Sequence, residues 1–562
     1  MVKEETDTPA LNIVRERFSH FLGEEISSEE ICRWIPYLGL DLEDVGEEEV
    51  KIEYNPNRPD LGIVTGIVKA FKGITGREMG LIHYKVEKGD YRLIVDEKVK
   101  EARPYVLSAV VKDIPMDEET LVDIINLQED LHETIGRRRR KVSIGIHNLD
   151  VVKFPVHYLA MPGETSFIPL DEEREMSLTE ILTELEKGRE YSHILEGKKL
   201  YPIIADDRGE ILSFPPIINS EYTRVGPETR NLFLDITGTD LKAIDNVCRV
   251  LVTSLADLGG KIWSVRVEAP HYQVESPDLA VKEMKVDPGD VRRLLGLDLS
   301  LNEMIQCLRA CRFDAGREGE NLIVSIPPYR VDIMHPVDIV EEVAIGYGYW
   351  RIEPVLPEIF LVGEKDEARE FASMVSQVMM GAGYLETVNF TLTSIESQFL
   401  KMGLKPEGFI RVKNPKSLGY EILRVWIIPS LLEVCHVSKK ETYPQQIFEV
   451  GKIVYRRGEG WVEETHLGAV KIGVDAGYSD VKSLLDALCE ALEVKAVIES
   501  MDHPSFIPGR VGRIVLDGVE GGLIGELHPQ VLENFQLENP VACLELNIDL
   551  LRKIYKGKVG KG

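Results

Sequence analysis

A chain of 562 residues cannot close round one hydrophobic core, because single cores stop growing beyond about 250 to 300 residues and longer chains divide. At about 100 to 200 residues per domain, this length predicts roughly four. The divisions show where the apolar pattern changes. Residues 1–90 alternate short helical and extended patterns, which predicts an N-terminal α+β domain; there Asn55, Pro56 and Pro59 predict a rigid turn, with Asp60 capping the apolar helix that follows. Residues 91–270 mix strand-like runs, VLSAVVKDI and KVSIGIHNLD, with the helical patterns LVDIINLQEDLHETIG and LKAIDNVCRVLVTSLADLGG, and so read as a second, mixed α+β domain. HYQVESPDL reads as a linker, after which residues 271–357 predict a small helical domain. From residue 358 to 562 strands dominate, interrupted by the amphipathic helix DVKSLLDALCEALEV. The expected fold class is multidomain α+β.

The formal net charge of −29 repels a polyanion at long range, which excludes nucleic-acid binding by blanket electrostatics and leaves only a local basic patch. Arg137 to Lys141 is such a run. Solvated turn residues after Gly136 are its first reading, and contact with an RNA backbone is the alternative. The N-terminal MVKEETDTPA has no apolar run behind its charges, and no stretch approaches the ~18 apolar residues of a membrane helix, so a cytoplasmic protein without membrane association is expected. Seven scattered cysteines fit reduced thiols. Cys307 and Cys311 lie one helical turn apart with no second pair to complete a zinc site, and are read as core thiols.

Two segments carry candidate chemistry. In PPYRVDIMHPVDIVEEVAIGYGYW, Pro327 to Trp350, Asp338 is expected to cap a helix with Glu341 at its N3 position. Asp338, Glu341 and Glu342 share a helix face, and Asp332 lies upstream with only Arg330 as a nearby cation. Clustered carboxylates repel, and a hard divalent cation with oxygen ligands would relieve that repulsion. Capping and metal binding both stay open on spacing alone. Residues 201–240 hold Ser213, Asn219, Ser220, Thr223, Asp235 and Thr237 between short apolar runs, which fits either turn chemistry or a polar pocket. No Ser-His-Asp or Cys-His arrangement is apparent there, so no covalent intermediate is expected.

R-x-D-I followed by D-x-x-E-E-V and G-Y-G-Y resembles the helical domain of phenylalanyl-tRNA synthetase beta subunits. The resemblance implies a Mg²⁺ site, shared with an alpha subunit, on Asp332, Asp338, Glu341 and Glu342. Residues 201–240 are similar to the editing domain of the archaeal and eukaryotic type, across roughly 170 residues. That implies hydrolysis of tyrosine wrongly esterified to tRNA in a pocket lined by Ile204, Ser213, Asp235 and Thr237, with Asn219 and Arg224 near the tRNA end. Ile204 stands where relatives can carry leucine.

The C-terminal region, with NPKSLGYEILRVWIIPSLLEV, QQIFEVGKIV, GELHPQVLENF and VACLELNIDLL, resembles the class II synthetase core, an antiparallel sheet with flanking helices. ATP chemistry there needs arginines against the phosphates. The strand expected to carry R-x-E reads Ile447, Phe448, Glu449, and the last strand offers Glu545 in place of an arginine, so a catalytically inactive copy is expected. The resemblance further implies an alpha subunit that carries the amino acid and ATP sites, an alpha2-beta2 heterotetramer, and tRNA(Phe) as partner. A non-enzymatic scaffold for the alpha subunits and tRNA is the competing expectation.

Overall fold

In VSIGIHN, residues 142–148, isoleucines alternate with Ser143, Gly145 and His147. A strand sends alternate side chains to opposite faces, so this segment buries apolar residues on one side and collects small and polar ones on the other. That pattern organises the part of the chain described first below. The computed structural model describes residues 10–46 and 48–559, and the chain divides into two units, Met1–Leu356 and Pro357–Gly562. The expectation drawn from the first residues of the N-terminus lies outside the described residues.

The first unit opens on a small antiparallel sheet of β1 (Ala10–Val14), β2 (Asp41–Val45) and β3 (Glu49–Glu53), in the order β1-β3-β2. Helix Val64–Ile74 shares its core, where Phe18 and Phe71 meet edge to face at 5.2 Å. Asp60 does not cap this helix, whose N-terminus has no side-chain cap; it is buried and paired with Arg58 at 2.8 Å. A buried carboxylate is stabilised more by a guanidinium than by a single amide.

The main sheet contains β4 (Val86–Val95), β5 (Tyr105–Lys112), β6 (Val142–Asn148) and β7 (Val156–Met161). After a two-stranded ribbon, β8 (Ser166–Phe167) with β9 (Met176–Ser177), it continues with β10 (Tyr201–Ala205), β11 (Ile211–Phe214), β12 (Ile218–Asn219), β13 (Leu232–Gly238), β14 (Lys261–Glu268) and β15 (Gln273–Ser276). The order is β12-β11-β10-β7-β4-β14-β5-β13-β6, with β15 on β14. The stretch expected as a linker therefore supplies a strand: Val274 pairs with Val267 in register. Helices Glu118–Glu133 and Leu241–Asp257 cover one face, packing Leu127, Leu131, Val247 and Leu251 against Ile144, Leu234 and Ile236. Strand β6 is an edge, and edges leave backbone groups unpaired. Here Gln128 donates to the Ile144 carbonyl and His132 accepts from the Ile144 amide, both at 2.8 Å, so one helix turn seals that position.

The sheet curls until its two edges approach: Asn219 of β12 donates to the Ile146 carbonyl of β6 at 3.3 Å. The unit ends with β16 (Lys282–Val286), β17 (Asp314–Glu318) and β18 (Asn321–Ile326), ordered β16-β18-β17, against helices Pro288–Leu295, Leu301–Ala310 and Pro336–Tyr347. The small domain expected as helical thus contains a sheet; its strands are short and flanked by the stronger helical periodicity that masks them.

In the second unit, β19 (Leu385–Glu386) precedes a small pair, β20 (Leu392–Thr393) with β21 (Ile422–Leu423). There follow β22 (Gln445–Arg457), β23 (Gly460–Ile472), β24 (Ala496–Ser500), β25 (Phe506–Leu516), β26 (Val519–Leu527) and β27 (Val541–Asn547). The sheet order is β19-β22-β23-β27-β26-β25-β24, antiparallel except at β19 and β22. Helices Glu367–Gly381 and Tyr478–Ala491 pack on one face with Leu467, Leu544 and Leu546, and helix Ile428–Val437 packs on the other with Val470 and Cys543. Among the described residues no helix is long and apolar enough to cross a membrane. All seven cysteines are free thiols.

Candidate active site

Where the main sheet curls, β11 and β13 come within side-chain reach, and Ser213 Oγ donates to Asp235 Oδ2 at 2.9 Å. Across the β6–β13 ladder Asp235 stands opposite Gly145 and Thr237 opposite Ser143. His147, completely buried, places Nε2 2.8 Å from the same Asp235 oxygen and Nδ1 2.8 Å from Thr223 Oγ1. A carboxylate only accepts, so Nε2 carries the proton in that contact. Asp235 Oδ2 is thus doubly bonded, whereas Oδ1, equally buried, has no partner. Such an oxygen costs free energy until a donor reaches it.

Asp235 lines a cavity of about 260 Å³ together with Ser143, Ser213, Asn219, His132 and Arg139. His132 accepts from the Ile144 amide, which fixes the proton on Nδ1, and burial drives its pKa down to about 4, so it is neutral. Its Nδ1 lies 3.4 Å from Glu129 Oε1. Behind the cavity wall, Arg103 is buried and donates to Thr237 Oγ1 at 2.9 Å; burial lowers its pKa to about 10.

The six residues expected at this site separate. Ser213, Asp235 and Asn219 line the cavity. Thr237 lies behind it, held by Arg103 and Ser143. Ile204 stands opposite Ser213 in the β10–β11 ladder and is fully buried in a cluster with Tyr158 and Leu212, outside the residues that line the cavity. Arg224 is partly exposed and binds Glu221 and Asp171, of which Asp171 reaches the rim. His147, His132 and Arg103 were missed by sequence reasoning. The alternation of Ser143, Gly145 and His147 was the available signal for His147. Serine, aspartate and histidine do meet here, contrary to expectation, but Asp235 is the hub and no hydrogen bond joins Ser213 to His147. No nucleophile–base pair results.

The carboxylate segment is built differently from its expectation. Helix Pro336–Tyr347 begins one turn earlier than predicted, with His335 as N-cap and Asp338 at N3, where Asp338 accepts from the Met334 and His335 amides, both at 2.7 Å. Proline at the first helical position favours that start. Asp332 and Glu342 are not a bare anionic pair: buried Arg330 bonds Asp332 at 2.7 and 2.9 Å and Glu342 at 2.5 Å. Burial alone would lower the Arg330 pKa, but these two carboxylates hold it well above the usual value. Glu341 is exposed. All four acids line one cavity of about 360 Å³. Among the described residues, however, no group of three or more His, Cys, Asp or Glu side chains is arranged to hold a metal ion, so the donor set of this chain does not by itself fit Mg²⁺.

In the second unit, Glu449, from the strand that lacks its R-x-E arginine, and Glu545, which stands where an arginine was expected, are both committed within the fold. Glu449 binds buried Arg424 at 2.6 Å, and Glu545 accepts from the Ile427 amide at 2.8 Å and His466 Nδ1 at 2.9 Å. An arginine is therefore present, but its charge is neutralised.

The family profile described as "tRNA synthetase B5 domain" matches residues 284–349, and that described as "Phenylalanyl tRNA synthetase beta chain CLM domain" matches residues 352–548. The chain is 42% identical over 517 residues to the phenylalanine–tRNA ligase beta subunit of Archaeoglobus fulgidus, covering 92% of this chain and 94% of that one. It is 40% identical to the beta subunit of Pyrococcus horikoshii, covering 98% and 100%. A crystal structure of an N-terminal fragment of the latter superposes with a TM-score of 0.59 at 40% identity, spanning 61% of this chain and all of the fragment. With this agreement over almost its whole length, the chain belongs to the phenylalanine–tRNA ligase beta subunit family.

Proposed function

We propose that this chain is the beta subunit of a heteromeric phenylalanine–tRNA ligase, that it supports attachment of phenylalanine to tRNA by a partner alpha subunit, and that its own cavity hydrolyses tyrosyl-tRNA. The observation that carries the editing reading is that Asp235, which lines a cavity of about 260 Å³, keeps a buried oxygen, Oδ1, without a partner. A synthetic site shaped for phenylalanine gains little against a substrate that merely adds a hydroxyl, a discrimination on the order of 100-fold, whereas a site built to bind that hydroxyl discriminates by about 10⁴ or more. The tyrosine hydroxyl donates to Asp235 Oδ1. A water then adds to the ester carbonyl carbon, the bond from that carbon to the ribose oxygen breaks, and the water's proton passes to the departing oxygen.

The aminoacylation site belongs to the alpha subunit in an alpha2-beta2 complex. Glu449 paired with Arg424, and Glu545 paired with His466, support a non-catalytic role for the second unit, since phosphates would meet carboxylates already neutralised by their own cations. A shared Mg²⁺ would draw mainly on ligands of the alpha subunit, with exposed Glu341 as this chain's free contribution.

The test is the Asp235→Ala chain co-expressed with its alpha subunit. Phenylalanine charging is expected to be retained while clearance of tyrosyl-tRNA is lost. Clearance at the normal rate would refute the pocket assignment, and a wild-type complex that charges but never edits would favour the scaffold.

A further inference from the structure

The run Arg137–Lys141 is not absorbed by the pocket chemistry, and its backbone is unusual. Arg137, Arg138 and Arg139 all have positive φ, 50°, 54° and 59°. The left-handed region is unfavourable for non-glycine residues, and such strain persists only where the surroundings hold it. Arg139 is what holds it. Its guanidinium turns inward, donates to the Ile217 carbonyl at 3.0 Å and to Glu129 at 2.8 Å, and lies 4.6 Å over Tyr191. It also lines the candidate cavity. The same left-handed turn sends Arg137, Arg138 and Arg140 into solvent. In a chain with 95 acidic residues, Arg137 and Arg140 pair with no carboxylate among the described residues, and Arg138 reaches only Glu133, at 3.3 Å. Lys187, exposed, stands on the rim of the same cavity.

Charges left unpaired against so acidic a background, and fixed to the lip of a cavity by a buried fourth arginine, suit a phosphate backbone, which guanidinium groups bind bidentately. We infer that the Arg137–Arg140 turn is a docking surface for the phosphates of the single-stranded acceptor end of tRNA, delivering the esterified terminal nucleotide to the cavity pinned beside it. The inference rests on the editing reading above and adds the surface that reading needs.

The experiment compares the assembled wild-type complex with one carrying Arg137→Glu, Arg138→Glu and Arg140→Glu. The triple variant is expected to raise KM for tyrosyl-tRNA deacylation by about tenfold or more at low salt, with kcat within about twofold, and to make the log–log salt dependence of tRNA binding shallower by about 2, at roughly 0.7 per single-strand phosphate contact. The difference in binding from wild type should vanish for tRNA lacking its last three nucleotides. Unchanged KM and salt slope would overturn the inference, as would equal weakening with the truncated tRNA. Should the triple variant fail to assemble, Arg137→Gln and Arg140→Gln singly are each expected to shift the slope by about 0.7. Because binding is read separately from hydrolysis, a wild-type complex that does not deacylate tyrosyl-tRNA but whose triple variant loses binding and slope would sink the editing reading and leave the docking surface standing.

Discussion

Gly145 and Asp235 face each other across the β6–β13 ladder so closely that a Cβ on residue 145 would lie 2.3 Å from Asp235 Oδ2 and 2.6 Å from His147 Nε2. The absent side chain is the space in which the Asp235–His147 hydrogen bond is made. Gly145→Ala should therefore displace Asp235 while sparing the apolar face of β6. An overpacking cost of about 1 to 3 kcal/mol is expected in thermal unfolding, with at least a tenfold loss of tyrosyl-tRNA clearance and near-normal phenylalanine charging. An alanine variant that edits at the wild-type rate would mean that Asp235 need not be held as it is.

How much of this site was readable follows from what set each position. Asp235 and Ser213 were found because a resemblance pointed to them, and Ser143, Gly145 and His147 could have been found from strand alternation in VSIGIHN. What joins them is the curl that brings β11 to β13, a relation between residues 22 apart in sequence that no local period encodes. The same limit explains the carboxylate segment. Spacing correctly placed Asp338, Glu341 and Glu342 on one helix, yet it could not show that Arg330, twelve residues before Glu342, folds back into hydrogen-bond range. Long helices such as Leu241–Asp257 were legible because periodicity and a Gly-Gly stop agree; the short strands β16 to β18 were not, because five or six residues beside strong helices carry too little pattern.

His147 is expected to act on Asp235 by position. Replacing it with phenylalanine removes the donor to a buried carboxylate, which costs about 1 to 3 kcal/mol and should show as a lower melting temperature. It should also erode the preference for tyrosyl- over phenylalanyl-tRNA in deacylation, because Asp235 is no longer held towards the cavity. Glutamine, which keeps a donor, should restore part of both. Equal loss on the two substrates, without rescue by glutamine, would reduce His147 to a packing residue.

Arg330 offers a test of the carboxylate segment that does not depend on any metal. Its guanidinium satisfies Asp332 and Glu342 in a buried setting, so Arg330→Met leaves two carboxylates uncompensated, at an expected cost of about 3 to 5 kcal/mol. Adding Glu342→Gln should recover a measurable part of that loss, because the worse-buried charge is gone. A double-mutant cycle by chemical unfolding reads the coupling directly, and additivity of the two changes would show that the pair does not interact as its geometry requires.

In the second unit the pH dependence has a definite sign. His466 lies between Glu464 and Glu545. Burial would lower its pKa, but the two carboxylates outweigh this and raise it from 6.5 to about 9. A group whose folded pKa is raised contributes stability that is complete below its unfolded pKa, so this contribution is whole below pH 6.5 and is lost as pH climbs to about 9. Glu464, held at about 2 by His466, behaves oppositely: its contribution is present above pH 4.5 and disappears as pH falls towards 2. The pair therefore stabilises most between about pH 4.5 and 6.5, by at most about 3 kcal/mol. His466→Gln should flatten the decline in unfolding free energy between pH 6.5 and 9, and should remove from the NMR spectrum of the chain an imidazole resonance titrating near 9. An imidazole at position 466 titrating near 6.5 would show that the carboxylates do not hold the proton and that the slope in that window has another source.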